Sequence, residues 1–233
     1  MNLIRIMPAI GRISVSITPE KPSQTSETHG FSGEQQAPQH SKSWRVVDII
    51  VAAVLGVACG LVFWVWNGIG GAAYGVFDAA TPGLGGLAVG IWLLGGVLGG
   101  LIIRKPGAAL FVEVLAAVVS ALLGNHWGIE TVYSGLAQGL GAELVFAIFA
   151  YRRAGLGVAM AAGAVAAIFE FILELATSGN YAKSLAFNAT YLSTMILSGI
   201  VLAGLVGWLL VRGLAATGAL DRFPAGRQRQ QLV

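Results

Sequence analysis

The sequence predicts an all-α integral membrane protein, a bundle of six transmembrane helices with both termini in the cytoplasm. Three observations carry this expectation. Hydrophobic residues make up 56 % of the 233-residue chain and charged residues 11 %, with a mean hydropathy of +0.76, which excludes an ordinary soluble globule. From Trp44 onward the chain divides into apolar runs of about 17–25 residues, the length a helix needs to cross about 30 Å of hydrocarbon. The cations fall between and beyond those runs, as topology signals do. The pI near 9.2 is therefore loop charge and calls for no nucleic acid.

Residues 1–43 are rich in Ser, Gln, Pro and Thr and lack a long apolar period, so they read as a disordered cytoplasmic tail. Arg5, Pro8 and Arg12 interrupt the apolar core that a secretory signal would need. The transmembrane domain occupies 44–212, with spans at roughly 45–67, 84–103, 107–123, 131–150, 154–177 and 187–212, and a basic cytoplasmic tail covers 213–233. The third span is short, but Pro106 suits a first helical position. Lys42 and Arg45 precede span one, Arg104 and Lys105 follow span two, and Arg152 and Arg153 follow span four. Arg212, Arg222, Arg227 and Arg229 follow span six, whereas the alternate loops hold only Lys183. An even number of spans with both ends inside results. Between spans one and two, NGIGGAAYGVFDAATPG, with Tyr74, Asp78 and Pro82, reads as a Gly-rich external loop, either a mobile gate or a passive connector.

Within the spans, Ala52, Gly56 and Gly60 stack small residues along one face of the first helix and invite a close helix approach, from inside the protein or from a partner. Gly83, Gly85 and Ala88, and likewise Gly139 and Gly141, imitate a dinucleotide fingerprint, but no strand precedes them and helix packing explains them. No G-x-x-x-x-G-K-[ST] occurs, so energy from ATP must come from partner subunits. Cys59 stands alone in an apolar run and His126 alone in an external turn, and neither supplies a metal site. No cofactor is called for. No nucleophile and base stand in register, which argues against an enzyme.

The polar residues of the spans are the candidates for function, because ionisable groups in a bilayer need an internal partner or a task. Counting along each helix puts Trp64, Trp66, Asn67, Asn125, Trp127, Tyr133, Gln138, Glu170, Glu174, Asn188 and Tyr191 in the outer half or the external loops. For the aromatic rings, an interfacial belt is the competing reading. Glu170 and Glu174, at i and i+4, share one face of span five with no Lys or Arg in that span. A cationic or amino-bearing ligand would neutralise them, and hydrogen bonds to Thr177 or Ser178 are the structural alternative. Glu113 and Glu143 lie slightly inside the midplane and suit interhelical hydrogen bonds between spans three and four, with substrate contact as the second possibility.

RKPGAA at 104–109, Glu113 soon after it, LLGN at 122–125 and QGLGAE at 138–143 follow one another in an order that resembles the YkoE-type substrate-binding (S) components of energy-coupling-factor (ECF) vitamin transporters. The resemblance spans roughly 44–212. It implies capture of thiamine or its hydroxymethylpyrimidine (HMP) moiety from outside, and delivery through a transmembrane T component and ABC ATPase subunits in the bacterial cytoplasmic membrane. It further implies that the first external loop gates the substrate and that Ala52, Gly56 and Gly60 dock the T component. An S component for another vitamin, a small-molecule channel and a structural membrane protein are the alternatives.

Overall fold

The computed structural model describes residues 42–230, so nearly all of the expected N-terminal tail and the last three residues lie outside the described part. All regular structure among the described residues is helical. α1 (Val46–Ala80) is followed by a 3-10 stretch (Leu84–Leu93) that runs into α2 (Leu94–Ile103). Then come α3 (Ala108–Leu122), α4 (Glu130–Ile148), α5 (Leu156–Thr177) and α6 (Leu185–Ser198). A π-helical segment (Gly199–Leu205) joins α6 to α7 (Val206–Ala216), and α8 (Pro224–Gln230) is short. Four stretches are long and apolar enough to cross a membrane by length and composition: Val46–Ala80, Leu84–Ile103, Leu156–Thr177 and Leu185–Ala216. α3 is apolar but shorter.

The rod formed by the 3-10 stretch and α2 lies at the centre, and every residue of α2 is buried. A helix apolar all round has to be surrounded by others, and its glycines let the neighbours close in. A Cβ added at Gly100 would come within 2.0 Å of the Phe146 ring, and one at Gly99 within 2.6 Å of the Ala108 carbonyl. Around this rod α1 packs on α3, α3 on α4, α4 on α5, and α5 on the π-helical segment. On its outer side α1 turns Ile50, Val54, Val65 and Ile69 away from the protein, each more than half exposed, as a lipid-facing surface requires.

Two expectations are corrected. The small-residue face of α1 is taken up inside the chain: Ala52 is fully buried, and a Cβ on Gly56 or Gly60 would fall 2.7 Å from Leu115 or 2.6 Å from Val119 of α3. It is therefore not a free docking face. The Gly-rich segment after residue 67 is not a loop either, because α1 continues through it to Ala80. Each glycine weakens a helix by about 1 kcal/mol relative to Ala, and tertiary contacts outweigh that here. The Trp66 indole lies over Gly70 and donates to the Ala88 carbonyl at 2.9 Å. Tyr74 covers Gly85, and the Asp78 carboxylate accepts from the backbone N–H of Gly83, itself in the left-handed region at φ 96°.

At the opposite end, the start of α1 is tied to the turn between α2 and α3. Asp48, fully buried, pairs with Arg45 at 2.7 Å and Lys105 at 2.5 Å, while Lys105 also donates to the Ser43 carbonyl and the Trp44 indole to that of Pro106 at 2.9 Å. Lys105 is thus a structural cation. After α7 the expected tail is partly folded, with Leu220 and Phe223 buried and α8 packed on α7 and α2.

Candidate functional site

A cavity of about 550 Å³ lies between the C-terminal half of α1, the last turns of α5, the N-terminal half of α4, and α6, at the end of the bundle remote from Arg104, Lys105, Arg152 and Arg153. Regular helix over Leu156–Thr177 places Glu170 and Glu174 on one face of α5 and turns both toward this space. Glu170, only 4 % exposed, faces the Ser134 hydroxyl and the Gln138 amide of α4. Glu174, one turn nearer the end of α5 and half-buried, faces the Tyr191 hydroxyl of α6, which in turn meets Tyr74 of α1. One oxygen of each carboxylate, Oε2, is buried without a hydrogen-bond partner. No Lys or Arg is among the described residues that line the cavity. Lys183 acts on Glu174 only through space, with its ammonium over the Phe187 ring, 4.1 Å from the centroid.

Aromatic rings form the facing wall. The Trp92 indole donates to Asn67 Oδ1 at 2.9 Å, and Asn67 Nδ2 donates to Ser120 Oγ at 3.0 Å, so a polar chain through three helical rods fixes the ring. Trp127 stands edge-on to Trp92 with centroids 5.6 Å apart at 81°, the geometry favoured by ring quadrupoles. The His126 ring lies 3.6 Å from that of Trp127. Carboxylates, hydroxyls and an amide on one side and fixed indoles on the other suit a flat organic molecule that carries donors or positive charge.

A family model described as "ABC-type cobalt transport system, permease component" matches residues 47–169. A Bacillus subtilis (strain 168) protein named HMP/thiamine permease protein YkoE is 36 % identical over 189 residues, which cover 80 % of this chain and 92 % of that one. The chain also superposes on the crystal structure of an S-component of ECF transporter with a TM-score of 0.75 at 34 % identity, covering 81 % of this chain and 94 % of that one. The chain belongs to the YkoE-type S-component family. Its relatives are transport components, not enzymes.

In this S component the structure gathers Glu170, Glu174, Gln138, Trp127 and Tyr191 around one cavity. The other sequence candidates stand elsewhere. Trp64 and Tyr133 are about half exposed on the outer faces of α1 and α4, and Trp66 packs behind Trp92 at 6.5 Å. Asn125 organises its turn by accepting from the backbone N–H groups of Trp127 and Gly128 at 3.0 and 2.9 Å. Asn188 donates to the Asn180 carbonyl at 2.9 Å and fastens the turn before α6. Glu113, fully buried, accepts from the Gly96 backbone N–H of α2. Glu143 accepts from the backbone N–H groups of Gly107, Ala109 and Leu110 and from the Tyr151 hydroxyl, locking α4 to the start of α3. Glu143 therefore serves the scaffold, whereas Glu113, bonded to α2 through one oxygen, keeps its other oxygen, Oε1, buried without a hydrogen-bond partner and does not itself line the cavity. The sequence does not single out Trp92, Ser134 or Thr131 as lining residues; it marks Asn67 only as one of the outer-half polar groups and Tyr74 only as part of the segment after span one, yet all five line the cavity. Ser134 carried a usable signal, because it lies one turn before Gln138 on the same face of α4.

Proposed function

We propose that this chain is the solute-capture subunit of an ECF-type importer and that its cavity takes thiamine or the HMP moiety from outside the cell. The observation that carries the reading is the pair Glu170 and Glu174, each with a buried, unpartnered oxygen, in a cavity walled by the Trp92 and Trp127 indoles and with no Lys or Arg among its described lining residues. Thiamine supplies what such a space lacks: an amino group to donate to a carboxylate, flat rings for indole faces, and a cationic thiazolium. In this reading six helical rods cross the bacterial cytoplasmic membrane, with α3 and α4 as the short ones and both termini in the cytoplasm. The Lys and Arg residues of the loops remote from the cavity support that orientation. The relative's name supports thiamine or HMP as the cargo. A metal cargo, which the description of the family model would suggest, needs several ligands converging on one point. Among the described residues no three His, Cys, Asp or Glu side chains group that way.

Delivery requires a T component and ATPases, because the chain has no phosphate-binding loop. Purified protein carries six tryptophans, two of them in the cavity wall, so fluorescence titration tests the reading. Thiamine or HMP should quench or shift the emission saturably while unrelated vitamins leave it unchanged. A response to none of these ligands, or an equal response to all, contradicts the proposal.

A further inference from the structure

We propose that capture exchanges a cation for a proton: in the empty cavity the Glu170 and Glu174 pair holds a proton that a cationic ligand displaces to the outside, so the ligand brings no net charge into the bundle. This rests on the reading of the cavity as a thiamine or HMP site.

The chain itself shows what an ionised carboxylate meets in this bundle. Asp48, fully buried, has the cations of Arg45 and Lys105 at 2.7 and 2.5 Å. Glu143 accepts from three backbone N–H groups as well as from the Tyr151 hydroxyl. Cations and N–H groups only donate, which suits an acid that only accepts. Glu170 and Glu174 are surrounded differently. Their neighbours are the Ser134 and Tyr191 hydroxyls and the Gln138 amide, each able to accept a hydrogen bond as well as donate one. Such partners serve a neutral carboxyl equally well. The Oε2 atom of each acid is buried with no donor at all, and a buried charge without a counter-charge neutralises by taking up a proton.

The wider surroundings act in the same direction. The two acids share one face of α5, about 6 Å apart along the helix, so a charge on one opposes a charge on the other. On α3, Glu113 stands one turn before Ala117, which lines the cavity, and it has only the Gly96 backbone N–H for its own oxygens. The remaining titratable groups that face the space are Tyr74 of α1, His126 and Glu130 at the start of α4, and Tyr191 of α6. Lys183 reaches Glu174 only through space, with its ammonium engaged over the Phe187 ring.

A thiazolium reverses the balance. The carboxyl O–H bond breaks, its electron pair stays on oxygen beside the incoming cation, and the proton leaves to water outside. One positive charge enters and one departs. HMP is neutral and needs no exchange. Because proton loss accompanies thiamine binding, thiamine affinity rises with pH wherever the empty pair still holds its proton, and HMP affinity does not.

The experiment is calorimetric titration of purified wild type with thiamine and with HMP in two buffers of different ionisation enthalpy, at about pH 6.5 and about pH 7.5, with infrared spectra before and after each ligand. Expected at the lower pH is release of about one proton per thiamine and none per HMP. Thiamine affinity should be about fivefold or more higher at the upper pH, with HMP within about twofold. The thiamine difference spectrum should lose a carboxylic C=O band. That band should be weaker in empty Glu170→Gln or Glu174→Gln, a readout that needs no binding by the variants. Thiamine that binds without proton release, or with an affinity as flat in pH as that of HMP, overturns the exchange. So does a thiamine affinity that falls with added sodium at constant ionic strength, since an alkali cation would then be the displaced charge. A band at full strength in both variants overturns the assignment to this pair and moves the proton to Glu113 or Glu130. Wild type that binds neither ligand overturns the thiamine reading, and this inference with it.

Discussion

Glu143 shows how a carboxylate in the bundle earns its place without touching a ligand. Its two oxygens accept from three backbone N–H groups at the start of α3 and from the Tyr151 hydroxyl, where a helix N-terminus also favours negative charge. Tyr151 sits in the left-handed region at φ 61°, and its bond to Glu143 helps hold that turn. Glu143→Ala should destabilise the fold by about 2–4 kcal/mol, since buried donors lose their acceptor, while the folded fraction binds thiamine as wild type does. Thermal unfolding in detergent, followed by a titration below the transition, checks this. A shifted affinity at unchanged stability would return Glu143 to the site. That the four carboxylates each needed an internal partner or a task was legible in the sequence. Which partner each one meets was not, because i and i+4 spacing defines a face and not what the face packs against. The indoles show the same limit: Trp64 and Trp127 look alike as outer-half aromatics, yet one faces outward and the other walls the cavity.

Helices α1 and α2 depart furthest from what periodicity suggests. The 35 residues of α1 extend about 50 Å, well beyond a hydrocarbon core of about 30 Å, and the excess supplies Gly71, Ala72 and Tyr74 to the cavity. Its glycines read locally as loop residues, and only contacts with a distant segment keep them helical. Gly75 has nothing within 4 Å of an added Cβ, so Gly75→Ala should stabilise the helix by about 0.5–1 kcal/mol, seen as a higher unfolding temperature. A lower one would mean that this stretch has to unwind. Gly56→Leu tests the other end of α1. A leucine there collides with Leu115, so the variant should lose folded yield and binding together. Intact binding with failed uptake would instead restore the partner-docking reading. Trp92 was hidden for a related reason: it lies in the 3-10 stretch Leu84–Leu93, where side chains do not follow the 3.6-residue period that marks a helix face.

Most of the apolar runs were legible because bilayer thickness acts on every segment independently, but the end of α1 at Ala80 was not, since only tertiary contacts carry that helix past residue 67. The cavity depends on all of them at once, so only its carboxylates stood out. If both termini are cytoplasmic, cysteines added at 42 and after 230 should resist a membrane-impermeant label in whole cells and react after permeabilisation. Labelling of either in intact cells would invert the bundle and place the cavity inside. The most direct measurement is calorimetric titration of thiamine into purified wild type and into the double variant Glu170→Gln, Glu174→Gln. Saturable one-to-one binding by wild type, with loss of at least a hundredfold in a folded double variant, about 3 kcal/mol, is the expected result. Binding unchanged by the double substitution, or no binding by the wild-type chain, would contradict the assignment of this cavity as the capture site.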